Sequence, residues 1–192
     1  MEPYGVLLAA GAGTRIGMPK ALVRDTDGVP SVVRSVRVLR DGGCGPIGVV
    51  VGAAAEEVTA LLADAGLLVD GGLLVGGGVT IVPSLDWQSG MSASLRSGLS
   101  WVAETPAEAV VVHFVDMPDV GADVVRRVVA GRVGTGDAVL SRAGYGGRAG
   151  HPVLMGRAHW EAAKAAATGD RGAGSYLKRA GCPLIPCEDL TR

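Results

Sequence analysis

The feature that most constrains this chain is the stretch Val6-Leu7-Leu8-Ala9-Ala10-Gly11-Ala12-Gly13-Thr14-Arg15-Ile16-Gly17-Met18-Pro19-Lys20. An apolar run gives way at once to three glycines, an arginine and a lysine, the pattern of a buried strand entering a loop that holds phosphate. Gly11, Gly13 and Gly17 are expected to take positive φ and bring backbone N–H groups close to an anion, with Arg15 and Lys20 adding charge-assisted hydrogen bonds. The spacing excludes the two commonest phosphate loops. A dinucleotide fingerprint needs G-x-G-x-x-G, but the glycine after Gly13 is Gly17; a P-loop needs Gly-Lys-Ser/Thr, but Met18-Pro19 separates Gly17 from Lys20. Pro19 has no N–H and biases Met18 away from helical angles, so no helix is expected to start at the phosphates and Lys20 reaches in as a side chain. The competing reading is a tight strand-to-helix turn whose glycines serve packing alone.

The chain has 192 residues and is 48% hydrophobic, enough for a sizeable core in one domain over residues 1–192. A net charge of −1, with scattered basic residues, leaves no footprint for a nucleic-acid polymer. No uncharged apolar run reaches the roughly 18 residues that a membrane span needs, and the first residues read as a core strand rather than a leader, so a cytoplasmic protein is expected. Cys44, Cys182 and Cys187 form neither an even disulfide set nor a zinc spacing and are expected to pack in a reducing compartment.

Periodicity predicts strands at 4–9, 46–51, 79–82 and 109–115, with helices at 30–39, 54–65, 92–103 and 121–131 between and after them. Residues 67–78 read as a hairpin or insertion around Asp70-Gly71-Gly72. Further on come a short strand at 138–140, a glycine-rich loop at 145–150, a strand at 152–155, helices at 157–167 and 172–180, and a strand at 184–186. The alternation implies an α/β fold of three layers, a mostly parallel central sheet with helices on both faces. Such sheets bind ligands beyond the carboxyl ends of their strands, near the point where strand order reverses. The segments after the first, third and fourth strands should therefore surround one ligand.

Asp116-Met117-Pro118 follows the fourth strand directly. A nucleoside triphosphate arrives with Mg²⁺, which takes one or two carboxylates beside phosphates and water, and Asp116 is the candidate ligand, the alternative being a loop-capping aspartate. In the run from Trp87 to Leu99, the residues around Gly90 begin a helix whose N–H groups and dipole favour a phosphate or a base edge. Gly90 and Ser94 are thus candidate nucleotide contacts, unless this is an ordinary capped helix packed by Leu95 and Leu99.

The run L-A-A-G-x-G-x-R-x-G-x-P-K resembles the signature loop of the MobA-like nucleotidyltransferases, a group that includes molybdenum cofactor cytidylyltransferase. Residues 87–99 are similar to that family's W-x-x-G-x-x-x-S-L-x-x-G-L, Asp116-Met117-Pro118 to its D-x-P, and Gly150-His151-Pro152 to its G-H-P. The resemblance implies a Rossmann-like nucleotidyltransferase fold with the loop from Leu8 through Ala9, Ala10, Gly11 and Gly13 holding the nucleotide and Arg15 and Lys20 on its phosphates. It implies Mg²⁺ on Asp116, and an acceptor site near His151. Gly169-Asp170-Arg171-Gly172-Ala173-Gly174 resembles the family's G-D-x-G-A-R, with Gly174 where arginine is usual. Asp170 is then an acceptor-site residue, a second metal ligand or a helix cap. Ala9-Ala10-Gly11 is similar to the form usual in the cytidylyltransferases, which implies CTP over GTP and a molybdopterin-type acceptor, with a molybdenum hydroxylase as client. Within this resemblance stand a guanylyltransferase acting on a pterin cofactor or on a small phosphate such as phospholactate, and a non-catalytic cofactor carrier. The Gly174 departure favours the carrier.

Overall fold

A computed structural model describes residues 2–14, 16–68 and 78–191. Tyr4–Leu8 (β1), Ile47–Val51 (β2), Val79–Pro83 (β3) and Ala109–Phe114 (β4) form the parallel part of a seven-stranded sheet. Leu140–Tyr145 (β5), Arg148–Gly156 (β6) and Leu184–Pro186 (β7) complete it, in the order β3-β2-β1-β4-β6-β5-β7. β6 runs antiparallel to both β4 and β5. The strand order reverses between β1 and β4, which pair in parallel with Leu8 opposite Phe114. Their carboxyl ends, and the loops that leave them, therefore start side by side.

Strand alternation decides which helices cover which face. Leu7, Val49 and Val111 point into one apolar layer with Ser31–Asp41 (α1), Ala55–Asp64 (α2) and Ala122–Ala130 (α4). Val6, Leu8, Val110 and Val112 point into the other, under Met91–Ala103 (α3), Trp160–Ala166 (α5) and Gly174–Arg179 (α6). Nearly continuous Val, Ile and Leu in β1, β2 and β4 is what burial on both faces requires. This is the three-layer α/β arrangement expected from the sequence.

Two expectations fail in the second half. Residues 145–150 are not a loop, and the strand at 138–140 is misplaced. Gly136–Ala138 is a single 3-10 turn, β5 begins at Leu140, and β5 and β6 form a hairpin in which Tyr145 pairs with Arg148. Gly146 and Gly147 both take positive φ, 56° and 75°, as a two-residue turn of the kind that matches strand twist demands. The glycines that read as a loop are the turn and a close approach: a Cβ on Gly150 would lie 2.5 Å from the Tyr145 ring. Of the hairpin expected at 67–78, residues 69–77 lie outside the described residues. Leu68 makes a parallel bridge with Val79.

Helix α3 lies close on the sheet because Gly98 has no side chain. A Cβ there would meet Val6 Cγ1 at 2.5 Å and Val50 Cγ2 at 3.1 Å, both on fully buried β-branched side chains that cannot turn aside. Alanine would gain about 1 kcal/mol of helix propensity, less than the roughly 1–3 kcal/mol that overpacking a core costs. We expect Gly98→Ala to lower the urea midpoint, while Gly174→Ala, where nothing lies within 4 Å of the added atom, leaves it within experimental error.

Candidate functional site

Beyond the carboxyl ends of β1 and β4 opens a cleft of about 460 Å³. One wall is the glycine-rich loop. The chain leaves β1 with Ala9 N–H donating to Val50 O at 3.0 Å and Ala10 O accepting from Ala53 N–H at 3.1 Å, which ties the loop's base to β2. The N–H groups of Gly11, Ala12 and Gly13 donate to no described residue and stand ready for an anion. Gly13, at φ 63°, is obligatory: a Cβ would lie 1.7 Å from Met18 O. Gly17 also takes positive φ, 76°, but Gly11 does not, and its lack of a side chain serves only to leave open space. As expected from Pro19, no α-helix starts here; turns lead to a single 3-10 turn at Lys20–Leu22.

Lys20 and Asp116 face each other across the cleft, and their side chains form an ion pair. Asp116 is held there by α1, from which Arg34 donates to Pro118 O at 3.1 Å and Ser35 to Val115 O at 3.5 Å. Leu8, Ala9, Ala10, Gly90, Ser94 and Asp170 line the same cleft. Arg15 lies outside the described residues.

The start of α3 is less open than the sequence implied. Ser92 N–H donates to Gly169 O at 2.9 Å, and its hydroxyl accepts from Arg96, which also donates to Ala167 O at 2.7 Å. Residues 167–171 are thereby clamped over the helix end. Gly90, at φ 100°, permits this, since a Cβ would lie 2.6 Å from Asp170 Oδ1 and 2.7 Å from Gly169 O. Asp170 caps no helix: α6 begins after Ala173 without a side-chain cap, and the carboxylate projects into the cleft beside Gly90. The structure thus separates the two residues expected at the acceptor, because His151 belongs to a neighbouring cavity.

That cavity, about 170 Å³, shares Leu8, Met91 and Phe114 with the cleft and runs under α3 toward β5. Its walls are aliphatic apart from the Phe114 ring, Arg142 and His151. His151 lies against Phe114 with ring centroids 4.3 Å apart. Burial, reinforced by the charge of Arg142, pushes the His151 pKa from 6.5 down to about 4. His113, on the opposite face of β4, is fully enclosed, its pKa pushed down to about 3 chiefly by burial, and its Nδ1 has no hydrogen-bond partner among the described residues. Phe114, Met91 and Arg142 escaped the sequence reading. A charged residue inside an otherwise apolar strand was the available signal for Arg142, and the chain's single phenylalanine, two residues before Asp116, was the one for Phe114.

Residues 5–183 match the family described as the MobA-like NTP transferase domain. The chain is 33% identical over 196 residues to nicotine blue oxidoreductase of Paenarthrobacter nicotinovorans, an alignment covering 96% of this chain and 87% of that protein. It is 34% identical over 132 residues to molybdenum cofactor guanylyltransferase of Rhodobacter capsulatus, covering 68% of this chain and 59% of that one. Among solved structures, Rv0371c of Mycobacterium tuberculosis H37Rv in complex with manganese superposes with a TM-score of 0.68 at 25% identity, over 97% of this chain and 87% of that one. No helix among the described residues is long and apolar enough to cross a membrane.

The two depressed histidines give a pH prediction. Unfolded, each takes up a proton near pH 6.5, whereas folded they resist protonation down to about 3 and 4. The unfolded state therefore binds more protons below pH 6.5, so stability falls as pH drops from there toward 4. Ring chemical shifts of His113 and His151 should stay unchanged from pH 7.5 to 5.5 while the urea midpoint declines. Titration of either ring near 6.5 would contradict the burial argument.

Proposed function

The chain belongs to the family of MobA-like NTP transferase domains, and from that premise we propose that it transfers a nucleoside monophosphate from an NTP to a phosphorylated acceptor, releasing pyrophosphate. The observation that carries this reading is the cleft itself. An anion-ready loop, a lysine and a carboxylate converge where the strand order reverses. Nucleotidyl transfer needs positioned charge more than a covalent nucleophile. The N–H groups of residues 11–13 would hold phosphate oxygens, and Lys20 would release Asp116 to meet the charge developing between the α-phosphate and the departing pyrophosphate. By its position in the signature loop, Arg15 would help to neutralise the same charge.

Magnesium fits the donor set. It takes one or two carboxylates among phosphate oxygens and waters, and Asp116 and Asp170 bring two carboxylates to this cleft from separate elements. Among the described residues no group of three or more His, Cys, Asp or Glu forms a self-sufficient cage, so the triphosphate would complete the site. The manganese complex of the mycobacterial relative supports a divalent ion here. When bound, the ion supplies neutralisation of phosphate charge; holding it is the part of Asp116 and Asp170.

Among nucleotides we propose CTP over GTP. Ala9, Ala10, Gly11, Ala12 and Gly13 give the loop side of the cleft only small side chains, so a base there would be read through backbone groups, with Trp87, packed over Gly52 beside Ala10 O, on the same cleft. The guanylyltransferase relative supports the opposite choice, and a single methyl at such a position changes discrimination by about 1–3 kcal/mol. For the acceptor, the resemblance implies a molybdopterin-type cofactor destined for a molybdenum hydroxylase. A second reading, oxidoreduction, is favoured by the relative from Paenarthrobacter nicotinovorans, the cleft then holding a dinucleotide. Against it stands the absence of G-x-G-x-x-G after β1.

Pyrophosphate release with CTP, GTP and an acceptor, run beside NADPH oxidation, separates these readings. We expect release with CTP and none of the hydride chemistry. Lys20→Ala should lower turnover about 10²–10³-fold, the effect of removing one donor from a developing charge. Asp116→Asn should do so by loss of the metal. Neither should change stability by more than about 1 kcal/mol, because an exposed pair contributes little. Wild-type turnover in Lys20→Ala would overturn the loop assignment, and NADPH oxidation without pyrophosphate release would move the second reading to first place.

A further inference from the structure

The cavity beside the cleft is built for chemistry that the transfer reading does not specify. Leu8, Leu95, Val112, Val153, Met155 and Leu177 line it, each of them buried in the fold, yet they leave about 170 Å³ unfilled. The space is partly open and large enough for one ring, since a dry apolar cavity of about 150 Å³ takes up benzene. Its near end is the wall it shares with the nucleotide cleft at Leu8, Met91 and Phe114. Its far end, two strands from β4 across β6, is Arg142.

Arg142 is an uncommon resident for such a place. Its Nε and Nη2 both donate to Gly150 O, at 3.2 and 3.0 Å, and among the described residues no carboxylate pairs with it. Half-buried, the guanidinium keeps only a neutral carbonyl as partner, with further N–H groups left to give; burial works against its charge. His151, the other polar side chain on the wall, makes no side-chain hydrogen bond to a described residue. A pterin carries donors and acceptors along its ring edge, for which this lining offers two side chains.

We propose that the acceptor is a ring-sized apolar molecule whose body fills this cavity, whose far end is a carboxylate or other anion held by Arg142, and whose phosphate-bearing end lies at the cleft. This rests on the transfer reading and replaces its pterin with an organic-acid class of acceptor. Arg142 is then the specificity-determining residue, selecting an anion at the distance of one ring from the nucleotide. The Gly174 departure fits, since an added side chain there meets open space at the cavity wall and the chain has kept that space clear.

Binding probes test this without nucleotide, so that failure here and failure of nucleotidyl transfer are told apart by the pyrophosphate assay. The probes are p-toluate, its neutral amide p-toluamide, and neopterin, titrated by ligand-observed NMR against the full chain. We expect saturable p-toluate binding at least tenfold tighter than p-toluamide and tighter than neopterin. Arg142→Gln, and Arg142→Met as a second neutral side chain of similar length, should bind acid and amide alike. Lys20→Ala should retain the preference, placing the site outside the cleft. Equal binding of acid and amide by the native protein, tighter binding of neopterin, a preference that survives in either folded Arg142 variant, or one lost in Lys20→Ala would each overturn the proposal.

Discussion

The ion pair between Lys20 and Asp116 joins residues 96 apart in sequence, and much of the structure exists to bring them together. It depends on one constraint, the parallel pairing of β1 with β4 in a register that ends both strands at the same height. Only then do the glycine-rich loop and the Asp116 segment start as neighbours. Around this junction the surrounding elements hold the two segments in place. β2 ties down Ala9 and Ala10, and α1 holds residues 115–118 by two side-chain bonds to backbone carbonyls. An exposed pair of this kind adds little stability. Its value is electrostatic balance: it sets a lysine and a carboxylate, each able to take a partner of opposite charge, against one another in the cleft.

A second junction joins the cleft to the apolar cavity. The segment 167–171, clamped on α3 through Ser92 and Arg96, puts Asp170 into the cleft, and the residues that follow, Gly172 to Gly174, line the cavity. The two spaces also share Leu8, Met91 and Phe114 in their walls, so they adjoin. This adjacency suits a reaction between two substrates. The cavity that Gly174 lines has a guanidinium of its own, Arg142, carried by β5 rather than by the start of α6.

The first half of the chain was legible in the sequence because strand and loop signals there reinforce one another. Runs of Val, Leu and Ile bounded by Gly and Pro mark β1, β2 and β4, and the Gly13, Pro19 and Lys20 spacing foretold both the loop and the missing helix. The second half misled because glycine has two uses. At Gly146 and Gly147 it makes a tight hairpin turn, and at Gly150 it admits the Tyr145 ring, so six residues that read as loop are a strand hairpin with its turn. Asp116 could be placed from its position after a strand, whereas the location of Asp170 depends on the packing of the clamped segment on α3 and that of His151 on the pairing of β6 in the sheet. Arg142 gave only half a signal: a charge inside a strand marks the position as unusual, but nothing local shows that it faces a cavity.

The central claim is that Asp116, released from Lys20, holds a divalent ion together with the triphosphate. Manganese binding followed by electron paramagnetic resonance, with and without CTP, tests it directly in the native protein and in Asp116→Asn. The account predicts weak binding of Mn²⁺ alone, because Lys20 occupies the carboxylate, a marked tightening when CTP is added, and loss of that tightening in Asp116→Asn. A ternary complex that forms equally well in Asp116→Asn would contradict it.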